Sequence, residues 1–451
     1  MRLALLVPCS LALVLAMDET RAAGAAEQPL TLPQAIGIAL QGNAALQGAE
    51  GREAGSWAAR DKAAAEGWPQ VRLDSRLGHA SEVPVSEIPG RAPVPLAEQD
   101  TWVTTASLQQ LVYAGGRVSA LVRQAGRSAE GVRATRLRTR QVVAFGAERA
   151  FRILLAAQEQ IVVAARNLTA AEDHLRVAGE RFAARAAARF DVLRAEVQAE
   201  EARQEAIRAD GELLAARSQL LQALGVAAGD YRALPPALAA NAPAPRGIDE
   251  LIAAAARQRP DVQGLARQVE AAEAGVAAAR AESYPTLSLA ADYQYVTPES
   301  TTVFSRWTVG ALFSLPILDG GRARARRAEA GALRVQARAA FDLGLRQVEA
   351  DVRQAVVRTT SAAALVRVAS RQIEQAEELS RLADVRFSGG VGTATEVADA
   401  TASLARARYG LLRAEVERGI ADAELTLALG ALPVDVPVER TQTISPEGAD
   451  R

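Results

Sequence analysis

In 451 residues the chain has one cysteine, two histidines and few aromatic residues, 4% in all. The single cysteine, Cys9, lies in an apolar N-terminal run, so no disulfide is expected. His79 and His174 stand far apart with no second cysteine, and the usual metal cages cannot be assembled from them. His174 closes the run Glu172-Asp173-His174, which a solvated helix face explains. Acids and bases number 53 and 52, a net charge of −1. Phosphate binding needs a basic excess, so nucleic acid is not an expected partner. No apolar run after residue 26 approaches the ~20 residues of a transmembrane helix. Gly115-Gly116 and Gly389-Gly390 carry no nucleotide-loop motif. There is no nucleophile elbow and no glycosidase carboxylate pair. The expectation is a protein without cofactor, metal or catalytic centre.

Apolar residues make up 49%, mostly Ala, Leu and Val. Met1-Arg2, the run Leu3 to Met17 and the small residues Ala22 to Ala26 have the layout of a secretory signal peptide over residues 1–26. Pro8 before Cys9 does not suit a lipoprotein signal, so an exported, non-lipidated chain is expected.

The rest of the chain is written twice. Trp68-Pro69 recurs as Tyr284-Pro285, an offset of 216 residues, and Asn43 to Gln47 meets Arg259 to Gln263 at the same offset. Gly115-Gly116-Arg117 recurs as Gly320-Gly321-Arg322, an offset of 205. The second offset then persists through Arg181-Phe182 and Arg386-Phe387, Asp191-Val192 and Glu396-Val397, and Leu224-Gly225 and Leu429-Gly430. The change of offset falls between two strand-like runs, where a surface loop absorbs it. A period this long means a duplicated half-molecule rather than a solenoid.

Each half carries one long proline-free run, residues 117–182 and 322–387, which as helix reaches roughly 100 Å. Leu154, Ile161, Leu168, Leu175 and Phe182 are spaced by seven, with Ala157, Ala164, Ala171 and Ala178 at the complementary position. Ala362, Ala369, Ala376 and Ala383 repeat the alanine position. Such seams suit closely spaced coiled-coil pairs. A pair of shorter helical runs flanks each long one, from Leu32 to Gly67 and over 191–224, then from Ile248 to Ser283 and over 396–429. Each pair together matches the long run in length, so both cross the same layer.

Between helices the period drops to two. Strands are expected over 70–79, 102–112, 286–295 and 304–317. Val71, Leu73 and Leu77 alternate with Arg72, Asp74 and Arg76; Leu287, Leu289, Tyr293 and Tyr295 alternate with Ser288, Asp292 and Gln294; Trp307, Val309 and Phe313 alternate with Arg306 and Thr308. About ten residues cross a bilayer at the usual tilt, and Trp102, Tyr293, Tyr295 and Trp307 fall where an aromatic girdle would lie. Four strands cannot close a membrane barrel, for which about eight is the minimum. Three chains would give twelve. The competing reading of one such hairpin is an ordinary half-buried sheet in a soluble domain.

These residues resemble the TolC family of outer-membrane efflux proteins. The resemblance runs from Leu32 to about Leu432. It rests on Leu32-Pro33-Gln34-Ala35-Ile36 with Ala39-Leu40 and Asn43, and on the strand entries at Pro69 and Pro285. It rests also on the exits Val112 to Arg117 and Leu315 to Arg322, and on the turn Arg386 to Thr393. The fold it implies is mainly α with a β-barrel portion: a homotrimer with four strands per chain in a twelve-stranded barrel, and a periplasmic α-barrel of long coiled-coil helices. The first repeat would span 27–225 and the second 248–430, with an equatorial linker at 226–247 and a tail at 431–451. The resemblance implies an outer membrane in a Gram-negative cell. It implies docking on a periplasmic adaptor (membrane fusion protein) and an inner-membrane pump of RND, ABC or MFS type, in efflux or type I secretion.

In such a molecule the turn at Gly389, Gly390, Gly392 and Thr393 would touch the adaptor, and Glu396 and Asp399 match an acidic constriction pair. The first turn departs from the pattern: Arg185 stands at the glycine position, with Arg189 and Asp191 following. Arg185 or Arg189 pairing with Glu396 or Asp399 across a closed entrance is one expectation, and plain solvation of these charges is the other. Arg72, Asp74, Arg76, Asp292 and Arg306 are expected to face the barrel lumen. The alternative to a channel is a soluble periplasmic coiled-coil adaptor or scaffold. A coiled-coil enzyme subunit is a weaker one.

Overall fold

A computed structural model describes residues 27–83, 85–86, 89–90, 94–95, 99–235, 247–298 and 304–432. The expected signal segment, the tail beyond residue 432 and part of the linker and of both strand-connecting loops lie outside these residues. In chain order the first half holds β1 (Gln28–Leu30), α1 (Leu32–Gly42), α2 (Ala44–Ala65), β2 (Gln70–His79), β3 (Val85–Ser86), β4 (Val94–Pro95), β5 (Asp100–Tyr113), α3 (Arg117–Ala183) and α4 (Arg189–Leu224). After β6 (Tyr231–Ala233) come α5 (Ile248–Gln258), α6 (Pro260–Ala281), β7 (Thr286–Pro298), β8 (Phe304–Ser314), α7 (Arg322–Ser388) and α8 (Ala394–Ala428). Among the described residues no helix is long and apolar enough to cross a membrane.

Both long helices have 67 residues, roughly 100 Å each. Each starts behind a left-handed glycine, Gly116 at φ 82° and Gly321 at φ 87°. Asp319 also caps α7, accepting from the Gly321 and Ala323 amides at 2.9 and 2.7 Å. These two bonds hold its carboxyl below the usual range.

The helix expected from Leu32 to Gly67 is broken at Asn43, and that from Ile248 to Ser283 at Arg259. Both residues are extended, with ψ 120° and 123°. The Asn43 side chain accepts from the Ala45 amide and donates to the Ala223 carbonyl, ending one helix and starting the next. Arg259 precedes Pro260, whose ring disfavours helical backbone before it. The C-terminus of α4 butts against the first break. Gly225 has φ 75°, and a Cβ there would lie 2.9 Å from the Gly42 carbonyl oxygen. β8 stops at Ser314, short of the expected 317, just before Pro316, which has no amide for the ladder.

α3 packs against α2 and α6 toward the sheet, and against α4 and α8 toward the turns. α7 packs on α6 and α8. The lateral order is therefore α2-α3-α6-α7 in one half of the stalk and α4-α3-α8-α7 in the other. The largest core lies midway, where Ile36, Phe151, Leu154, Leu220 and Leu224 are fully buried beneath the parallel pair β1–β6. Toward the turns the core thins to alanine. Ala157, Ala164 and Ala178 are buried on α3, and Ala195, Ala202, Ala209 and Ala216 on α4. Along the large heptad position burial fades from Leu154 (0% exposed) to Phe182 (41%), because alanine seams bring the backbones close and leave bulky neighbours at the flank. A buried methyl contributes about 0.8 kcal/mol, so this half is held by close packing rather than by volume.

Candidate functional site

The four long strands form one antiparallel sheet in the order β2-β5-β7-β8. Directly paired residues share a face. One face carries the rows Val71–Leu108–Ala291–Val309 and Leu73–Ala106–Tyr293–Trp307. Leu77 pairs Trp102 on the same face. Its apolar side chains are open to solvent in the single chain: Val71 is 77% exposed, Leu73 72% and Trp307 74%. The few polar groups there are satisfied locally; the Trp102 indole donates to Ser75 Oγ at 2.7 Å, and Ser75 bonds Thr104. The other face carries Arg72–Ser107–Asp292–Thr308 and Asp74–Thr105–Gln294–Arg306, with Arg76 on the next row. The Arg306 guanidinium donates to Gln294 Oε1 at 3.0 Å. The five charged strand residues named from the sequence thus share one face. An apolar face of this extent marks a surface that is covered by membrane or by another protein.

At the far end of the stalk two helix-to-helix turns lie side by side. Asp191 accepts from the Ala188 amide at 3.1 Å and starts α4; the Thr393 hydroxyl accepts from the Glu396 amide at 3.2 Å and starts α8. Gly390 is left-handed at φ 76°, and Gly389 closes α7. A Cβ on Gly392 would lie 2.9 Å from the Phe387 amide nitrogen, so this turn accepts no larger residue without shifting. Arg181 lies over the Phe387 ring, 4.0 Å from its centroid, and Arg194 reaches Asp399 at 3.3 Å. These two contacts tie the turns together. A cleft lined by His174, Asp191, Arg194, Phe387 and Thr393 separates them.

Within the subunit Glu396 and Asp399 pair with neither Arg185 nor Arg189. Glu396 pairs with Arg386 at 3.7 Å and Asp399 with Arg194. The reason is positional: Arg386 flanks the same turn as Glu396, and Arg194 lies a turn into α4 facing α8. Periodicity shows neither relation, because both depend on how the hairpins pack.

A charged face and an exposed apolar face on one sheet, carried on a double-length helical stalk, define a channel-type outer-membrane protein. The chain belongs to the outer membrane efflux protein family, which it matches over residues 35–226 and 251–431. It is thus a TolC-like protein of the Gram-negative outer membrane. It is 27% identical over 297 residues to nodulation protein T of Rhizobium leguminosarum bv. trifolii, covering 61% of this chain and 60% of that one. It is 27% identical over 191 residues to outer membrane protein OprJ of Pseudomonas aeruginosa, covering 42% and 39%. Both alignments span less than two thirds of the relative's length. In fold it is similar to the Campylobacter jejuni CmeC outer membrane channel, with TM-score 0.79 and 16% identity over 88% of this chain and 85% of that one. A membrane protein from Pseudomonas aeruginosa gives TM-score 0.77 at 22% identity, covering 89% and 90%. The family consists of efflux channels rather than enzymes.

Proposed function

We propose that three copies of this chain close a twelve-stranded barrel in the outer membrane and a helical tunnel beneath it, forming a passive export duct. One observation carries this reading: every layer of the subunit ends in unpartnered edges that belong to opposite halves. β2, α2 and α4, all from the first half, bound one side, and β8 and α7, from the second half, bound the other. A contact between unlike edges is head-to-tail, the kind that builds a ring when its rotation closes. The helical edges are dressed for it. Phe190, Leu193, Val197, Ile207 and Leu214 stand exposed along α4, and Leu365, Val368, Leu379 and Leu382 along α7, at coiled-coil spacing. Two copies would supply only eight strands, a barrel that side chains fill; twelve leave a lumen.

In such a ring Arg72, Asp74, Arg76, Asp292 and Arg306 line the barrel interior. The turns lie roughly 100 Å away at the entrance, which Glu396 and Asp399 encircle. There the tunnel meets a periplasmic adaptor and an inner-membrane pump of RND, ABC or MFS type, which supplies the energy. The test is extraction and reconstitution. Heat-modifiable trimers in outer-membrane fractions and single-channel currents in planar bilayers are expected. A mature chain that folds as a water-soluble monomer without detergent defeats the reading and favours a periplasmic scaffold.

A further inference from the structure

Midway along the stalk an acid is buried where the two halves meet. The Glu148 side chain, on α3, is 5% exposed. Arg152, one turn further on, directs two N–H groups at the same oxygen: Nε and Nη2 reach Oε1 at 2.9 and 2.6 Å. The other oxygen, Oε2, is buried and has no hydrogen-bond partner among the described residues. An unmet buried acceptor is costly, and a charged one more so.

The helix packed on this side is α8, from the other half, and it runs antiparallel to α3. Gln141 donates to the Gly430 carbonyl at 2.5 Å. Equally far along each helix, Arg152 lies against Gly419, where a Cβ would overlap its guanidinium. Glu148 therefore stands level with the turn of α8 that carries Asp422. Asp422 has Arg418 at 3.9 Å, while Glu424 is turned to Arg358 of α7 at 2.7 Å. On its far side α3 meets apolar groups of α1 and α4, Ile36 and Leu220 among them.

Two acids thus share one joint with Arg152, which bonds one of them. Burial raises the Glu148 carboxyl above its ordinary range; the bonds and charge of Arg152 oppose this, and the charge of Asp422 adds to it. Burial raises Asp422 as well, against the charges of Arg418 and Arg152. The duplicated joint requires no acid here. The counterparts of Glu148 and Asp422 are Arg353 and Arg217, each with an acid of its own.

We propose that Glu148 and Asp422 form a proton-binding pair: one proton held by the two carboxylates fastens α3 to α8, and its release loosens the joint between the halves. With the proton bound, the unmet oxygen becomes a donor, and Arg152 faces one remaining negative charge. Without it, two negative charges share an interior that one guanidinium bonds from a single side. A carboxyl raised on folding stabilises the joint in acid. That stability is lost as pH climbs from the unfolded value, about 4.3 for Glu, through the folded one. The joint lies inside one subunit, so it acts whether the chain stands alone or in a ring.

The test is hydrogen-exchange mass spectrometry on the full-length protein in detergent, from about pH 5 to about pH 8. E148Q keeps the shape of Glu148 and cannot ionise. In peptides covering 143–155 and 415–426, wild type should match E148Q in acid. At the upper end it should exchange more than about fivefold faster, the least that an unmet buried polar group costs. Comparing the two proteins at one pH removes the intrinsic pH dependence of exchange. D422N leaves Arg152 to Glu148 and should shrink the rise, and peptides of the sheet should not show it. A ratio that stays flat with pH overturns the proposal. So does an E148Q that exchanges faster than wild type at every pH, because the ion pair would then be the fastener. A rise of equal size in D422N overturns the pairing. Should E148Q not fold, wild type and D422N decide: the same peptides must exchange faster in wild type, increasingly so as pH rises, and a flat ratio overturns the proposal.

Discussion

Arg259 offers the sharpest test of how the helices of the second half are joined. Its side chain is 4% exposed and holds two carboxylates, Asp261 at 2.6 and 3.1 Å and Asp351 at 2.7 Å. Arg259→Met keeps most of the volume and leaves both acids without their cation. Breaking a fully buried pair costs about 3–5 kcal/mol. Here Asp261 and Asp351 remain about a third exposed, so water recovers part of the loss. Arg138, whose guanidinium is 3.8 Å from Asp261, takes up more. About 2 kcal/mol is the expected net cost. Far-UV circular dichroism melts of the detergent-extracted protein, compared at one scan rate, should then fall by a few degrees. The triple variant R259M/D261N/D351N leaves no unpaired carboxylate and should recover part of the loss, short of about 0.5 kcal/mol for the Asp261 charge at the start of α6 and of what Arg138 loses with Asp261. Acid should narrow the gap between wild type and R259M. Burial pushes the Asp261 carboxyl up, but the bonds and charge of Arg259 outweigh it and hold the group below its usual value. A carboxylate lowered on folding contributes stability above its unfolded pKa, about 3.9, and loses it as pH falls through the folded value. Glu148 and Asp422, pushed up by burial, act in the opposite sense but are common to both proteins and cancel in the difference. An R259M that melts with wild type, or a triple variant no better than the single one, would refute this account.

Three further outcomes are expected. Arg185→Gly should relieve the left-handed strain at φ 62° and slow amide exchange in the first turn, while Gly390→Ala should speed it in the second; each effect is about 1 kcal/mol, or roughly fivefold, in hydrogen-exchange mass spectrometry. Replacing Glu396 and Asp399 by Ala should reduce cation selectivity in planar bilayers, and unchanged selectivity would remove them from the throat. Leu73→Arg, on the apolar face, should cost about 2–4 kcal/mol and deplete heat-modifiable trimers, whereas Ser107→Arg on the charged face should be tolerated; equal behaviour of the two would contradict the assignment of faces.

The fold class was legible because its signals are periodic. Alternation through Val71, Leu73 and Leu77 marks a two-faced strand, and the sevenfold alanine spacing marks a close helix pair. The offset of 205 residues links equivalent turns without any alignment. Junctions were not legible. The breaks at Asn43 and Arg259 depend on single residues whose backbone is set by a neighbouring helix end or by a following proline. The parallel pair β1–β6 joins three-residue segments about two hundred positions apart, too short to carry a pattern. The pairs Arg386–Glu396 and Arg194–Asp399 were not legible either, because they depend on how the turns and helices pack.

Where the two halves differ, packing supplies the reason. Arg194 and Asp399 occupy equivalent positions in the two repeats, and they meet at 3.3 Å. Like charges at both positions would repel, whereas the opposite charges present attract. Arg259 and Asn43 are likewise equivalent, and each receives a glycine-ended helix, Gly430 and Gly225. Only the second junction lies within reach of Asp261, Asp351 and Arg138, and there a buried charge network replaces a simple cap. Duplication supplied matching lengths for sheet, stalk and turn. Charge differences between the halves fall at packing contacts, as at Arg194 and Asp399, and at the first turn, where Arg185 and Arg189 make no ion pair among the described residues.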